Sequence, residues 1–153
     1  MQFSLEPAEV QLAQTVRELA ECNRMSGRYG LTLTPEQMRS LAECRGEALR
    51  SAGRVEFGGG ILRELIHAFC DSPDLIQSEY EAVLTELQEL FYRFKNETED
   101  RLSDEELLRA MRAVFDRAGG SVERLSEASP EELRRIALGE PEETEEEEGD
   151  ADE

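Results

Sequence analysis

The chain has 153 residues, enough for one domain with a substantial core, and 39% apolar residues plus 11 glycines match a globular composition. Thirty-six acids against 17 bases give a formal net charge of −19. A surface of that sign is repelled by phosphate backbones and anionic lipid, which argues against direct binding to nucleic acid or membrane.

The N-terminus, MQFSLEPAEVQ, lacks the basic and apolar regions of a signal peptide, and no run of eighteen apolar residues occurs anywhere. The expected location is the cytoplasm. Cys22, Cys44 and Cys70 are an odd number at wide spacing without a CxxC, so they read as reduced thiols and not as a disulfide framework or a zinc site. A first helix is predicted from about Pro7 to Arg24, presenting Val10, Leu12, Ala13, Val16, Leu19 and Ala20. The tetrapeptide LAEC occurs at Leu19 to Cys22 and again at Leu41 to Cys44; nothing else aligns around it, so it is a coincidence and not a repeat.

Tyr29, Leu31 and Leu33 then alternate with Gly30 and Thr32, a short extended piece. Thr34-Pro35-Glu36-Gln37 supplies a capping hydroxyl, a proline at the first helical position and Gln at the third, with Leu33 and Met38 placed for a hydrophobic staple. The helix it opens presents Met38, Leu41, Ala42, Ala48 and Leu49 and ends at Gly53. Val55 and Phe57 flank Glu56 as a second extended piece, available to pair with the first.

Gly58-Gly59-Gly60 invites a phosphate-loop reading, but no lysine and hydroxyl follow at the helix start, and a dinucleotide fingerprint lacks its last glycine. A sharp turn or hinge is the better reading. In the helix after it, Leu62, Leu65, Ile66 and Phe69 fall on one side, and Glu64, His67 and Asp71 on the other. Glu64-x-x-His67 is the element that di-iron carboxylate bundles use twice, yet this chain has one histidine and cannot supply both halves. Glu64, His67 and Asp71 stay as candidates for one divalent ion or for acid/base work, against a solvated carboxylate-rich face. Cys70, one turn from His67 at the flank of the helix, lacks an orienting partner for a nucleophile.

The longest helix is predicted from about Ser78 to Glu97, with Tyr80, Val83, Leu84, Leu87, Leu90, Phe91 and Phe94 covering more than one seam; it is the central core helix. Ser103-Asp104-Glu105-Glu106 repeats the capping box, with Leu102 and Leu107 as staple, and opens a stripe of Leu107, Leu108, Met111, Val114, Phe115 and Ala118 that Gly119-Gly120 stops. An EF-hand reading of Asp116 to Glu127 fails, because Ala118 and Gly120 stand at ligand positions and Ser121 where a glycine is needed. Ser129-Pro130-Glu131-Glu132 caps a third, shorter helix carrying Leu133, Ile136, Ala137 and Leu138 before Gly139. The last fourteen residues, EPEETEEEEGDADE, hold ten acids and no base, so a disordered tail is expected from about Glu140; the remainder keeps 26 acids against 17 bases, a net of −9.

The expected fold is all-α: an irregular bundle of five to seven helices in a single domain over residues 1–139, at most two very short extended segments, and a disordered acidic tail over 140–153. From Tyr29 to about Arg117 the chain also resembles a family of small bacterial proteins classed as a domain of unknown function, on the stretches YGLTLT, GRVEFGGGIL, FCDSP and LQELFYRFKNETEDRLSDEELLRAM. The resemblance implies a bacterial cytosolic protein and brings no activity and no site residues.

With no convincing catalytic set and no cofactor motif, the residues read as a non-enzymatic interaction module or adaptor for another protein, one whose own surface charge favours a basic partner; a homo-oligomer is open. Its expected contact segment is Arg54, Val55, Glu56, Phe57, Gly58, Gly59 and Gly60, where apolar side chains sit in a glycine-rich run; the competing reading makes Val55 and Phe57 core residues. Two alternatives stand beside it: a mimic that presents carboxylates in place of phosphates to a nucleic-acid-binding protein, and a small metal-dependent enzyme using Glu64, His67 and Asp71.

Overall fold

The computed structural model describes residues 7–56 and 60–139. Expectations that fall on Phe57, Gly58, Gly59 and the tail from Glu140 lie outside the described residues. Among those described the fold is all-α, with seven α-helices and no strand. They are α1 (Pro7–Ser26), α2 (Pro35–Ala52), α3 (Leu62–Phe69), α4 (Tyr80–Glu97), α5 (Asp104–Arg117), α6 (Val122–Ser126) and α7 (Pro130–Ala137), with short 3-10 turns at Gly27–Tyr29 and Gln77–Glu79. The chain divides into two compact units, residues 1–93 and 94–153.

In the first unit α1 packs against α2 and α3. Its core holds Leu19, Leu31, Leu33, Leu41, Leu62, Leu65, Ile66, Phe69, Tyr80, Leu84 and Leu87, all buried. The Thr34 box forms as expected: its hydroxyl accepts from the Gln37 amide and the Gln37 side chain accepts from the Thr34 amide. At the other end Gly53 takes φ +69°, and Arg54 N–H donates to the Leu49 carbonyl at 2.9 Å, closing the last turn of α2. The predicted α2 face is buried throughout, and Arg45 is buried with it.

The two extended pieces do not make a sheet. Leu31 to Thr34 runs extended without a strand partner because side chains meet its backbone groups. The Asn23 amide donates to the Leu33 carbonyl and accepts from the Leu33 N–H, each at 2.9 Å. The Ser26 hydroxyl donates to the Leu31 carbonyl at 2.7 Å. Among the described side chains of α1, from residue 9 on, the buried ones are Thr15, Leu19, Cys22 and Ser26, whereas Val10, Ala13 and Ala20 of the predicted apolar stripe are exposed. The reason is chemical: these hydroxyl and thiol groups are small enough to pack, and Ser26 is satisfied by the extended segment.

In the second unit α5 packs against α6 and α7 around Leu107, Met111, Phe115, Leu125 and Leu133. Ser103 and Glu106 form the full box, and Ser129 accepts from the Glu132 amide. The turn after Gly119-Gly120 opens α6, capped by Ser121, an element too short for its periodicity to show in the sequence. Leu138 is 55% exposed, because α7 ends before it. Between α4 and α5 the chain turns through two consecutive left-handed residues, Glu99 (φ +58°) and Asp100 (φ +59°). The buried Lys95 ammonium ties this corner together, donating to the Leu102 carbonyl at 2.9 Å and pairing with Asp104 at 2.9 Å.

Candidate functional site

Glu56 lies in an irregular stretch after α2, yet side chains from three helices converge on it. From α2, Arg45 Nη2 reaches one carboxylate oxygen at 3.3 Å and the Glu56 carbonyl at 3.4 Å. From α4, the Tyr92 hydroxyl donates to the same carboxylate oxygen at 2.5 Å. From α1, the Gln11 amide donates to the Glu56 carbonyl at 3.1 Å. Arg45 and Tyr92 are buried at 3% and 1% exposure while the Glu56 side chain keeps 28%, so these contacts sit at the edge of the core, where water competes less than at the surface. Burial, then the Glu56 hydrogen bond and charge, push the Tyr92 hydroxyl far above its ordinary pKa, with Arg45 pulling the other way.

Arg45 also holds the far side of the glycine run. Gly60 has φ +86°, and a Cβ added there would collide with Arg45 Nε. One buried guanidinium thus braces residues 56 and 60, the two ends of the glycine segment. Beside this anchored residue Val55 is 81% exposed, the most exposed large apolar side chain among the described residues. A core role for Val55 does not hold; Phe57 lies outside the described residues. Arg54 is half-buried.

Arg45 and Gln11 also line a cleft of about 270 Å³ between α1 and α2, with Leu12, Ala42, Gly46, Leu49 and Arg50 among its walls. Sequence reasoning did not single out Arg45, Tyr92 or Gln11. The legible signal was Arg45 itself, a charge in register with Leu41 and Leu49 on the apolar face of α2. Charge on such a face requires a buried counter-charge.

Glu64, His67 and Asp71 are each exposed, Glu64 and His67 on the side of α3 opposite Leu62, Leu65, Ile66 and Phe69, and Asp71 in the turn that follows the helix. Among the described residues no group of three or more His, Cys, Asp or Glu side chains is placed to hold a metal ion. Cys70 is not at the helix flank: it is 3% exposed, while His67 points to solvent. Burial raises the Cys22 thiol to about pKa 11, and burial and neighbouring glutamates raise Cys44, the opposite of what an activated nucleophile needs. No described helix is long and apolar enough to cross a membrane.

The model of a family of unknown function, DUF6323, matches residues 18–139. No curated protein and no solved structure matches the chain.

Proposed function

We propose a function for this chain, which belongs to DUF6323, from its own residues: it is a non-enzymatic, acidic helical module that binds another protein through the segment Arg54 to Gly60. One observation carries the reading. Three helices fix Glu56 in a stretch without secondary structure, and the neighbouring Val55 is left 81% exposed. Fixing a loop before contact lowers the ordering cost of binding, which is how a short apolar segment gains affinity. The net charge of −19 favours a partner with a basic surface around its apolar contact. On this reading the protein works in a bacterial cytosol, where its three free cysteines stay reduced.

The test is co-purification from a lysate of the source organism with wild-type protein and Val55→Asp, each washed at low and high salt. The expected result is a stoichiometric partner that survives high salt on the wild type and is lost with Val55→Asp, while thermal unfolding is unchanged. A partner that Val55→Asp retains sinks the assignment of this segment. If that retained partner is released by salt and competes with DNA or RNA, the carboxylate-mimic reading replaces the adaptor.

A further inference from the structure

A different segment of the chain offers a second surface, one that goes beyond the contact proposed above. The extended residues Leu31 to Thr34 are tied to α1 along one edge, through Asn23 at Leu33 and Ser26 at Leu31. Backbone groups alternate in direction along an extended chain, so Thr32 presents its N–H and C=O on the opposite edge. There an exposed side chain meets both groups: Gln77 Oε1 accepts from the Thr32 N–H at 2.8 Å, and Gln77 Nε2 donates to the Thr32 carbonyl at 3.0 Å. A carboxamide in this arrangement presents the same acceptor and donor that a neighbouring strand would present.

Exposed apolar side chains stand close to this edge in sequence. Tyr29, three residues before Thr32, is 53% exposed, and Ile76, next to Gln77 and itself extended (φ −120°, ψ 155°), is 50% exposed. The segment that carries Gln77 is acidic: residues 71–79 contain Asp71, Asp74 and Glu79 and no lysine or arginine. Arg28 is the one base in residues 27–34.

We propose that the Thr32 edge is a docking position for an extended, lysine- or arginine-bearing segment of a partner protein, and that the Gln77 carboxamide occupies it when that segment is away. The incoming strand takes over both hydrogen bonds to Thr32, lays alternate side chains on Tyr29 and Ile76, and directs its basic side chains toward Asp74 and Glu79. Exchanging two hydrogen bonds for two contributes little net free energy, so the apolar anchors and the charge supply the affinity.

The test uses isotope-labelled full-length protein and blocked heptapeptides of alternating valine and lysine. Controls are the same peptide with glutamate for lysine, and one with the central backbone amide methylated. The lysine peptide should shift the Thr32 amide and the Gln77 side-chain amide saturably, and both controls should not. Gln77→Ala should bind the peptide roughly threefold to tenfold more tightly, since the competing internal hydrogen bonds are gone. Ile76→Asp, at an exposed position, should remove binding without changing thermal unfolding. No response of Thr32 up to millimolar peptide overturns the proposal. An equal response to the methylated peptide overturns strand pairing in favour of a diffuse charge contact. A Gln77→Ala protein that unfolds more readily and binds no better makes Gln77 a structural staple and sinks the docking role.

Discussion

Two glycines in the same unit carry opposite requirements. At Gly60 the backbone is left-handed and a Cβ would press into Arg45 Nε, Cδ and Cζ. Gly60→Ala therefore strains the backbone and displaces a buried charge from Glu56, and should cost about 2 kcal/mol or more in chemical denaturation. Gly46 sits inside α2, where a Cβ would meet Arg50 Nη1 at 3.4 Å, the far end of a flexible side chain. Gly46→Ala should stabilise the protein by about 0.5 to 1 kcal/mol, since glycine weakens a helix interior. The pair tests whether Arg45 braces the glycine segment: equal effects at both positions would show that it does not. A further residue-scale consequence concerns alkali. Burial raises the buried Tyr80 hydroxyl to about pKa 12; Ser26, whose own hydroxyl donates to the Leu31 carbonyl, pulls the other way. A raised folded-state pKa gives stability that is complete below the unfolded value near 10 and is lost as pH rises through the folded value. Urea midpoints should therefore fall between about pH 10 and 12, and Tyr80→Phe should flatten that fall.

At the scale of elements, what was legible in the sequence is what short-range chemistry decides. Thr34, Ser103 and Ser129 announced three helix starts because a hydroxyl reaches an amide three residues on, whatever the surrounding fold. The glycine that closes α2 was legible for the same reason. Burial of Arg45, Gln88 and Lys95 was not, since it depends on groups distant in sequence or on the packing of α4. Thr15 and Ser26 escaped an apolar count for the same reason, and with them the true face of α1. The candidate site was half legible: the segment Arg54 to Gly60 showed as irregular and glycine-rich, but its anchoring through Gln11, Arg45 and Tyr92 spans separations of 45, 11 and 36 residues. The α4 to α5 corner gives this contrast a measurable form. Ser103→Ala removes a local cap and should cost about 1 kcal/mol. Lys95→Met leaves the Leu102 carbonyl without its ammonium donor and should cost more, about 2 to 3 kcal/mol. If Lys95→Met is the milder change in urea denaturation, the buried ammonium is not what holds the corner.

For the whole molecule, the distribution of charge decides how stability responds to salt. Residues 1–93 carry a net of −6, residues 94–139 a net of −3, and residues 140–153 a net of −10. Like charges at this density repel, and the compact state suffers more than the unfolded chain because its charges are closer together. The exposed ion pairs Arg39–Glu43 and Arg101–Glu99 oppose that repulsion weakly, each contributing at most about 0.5 kcal/mol before screening. Raising sodium chloride from about 10 mM to 150 mM shortens the screening length from about 30 Å to about 8 Å, which weakens repulsion among all the acids and attraction in a few pairs. Repulsion has the larger sum, so the thermal midpoint should rise over this range. The Arg45–Glu56 and Lys95–Asp104 contacts, each with a buried cation and a partly exposed carboxylate, are screened less, so they do not reverse the sign. A midpoint that falls with added salt would mean that ion pairing, and not excess negative charge, dominates the electrostatics of the folded state.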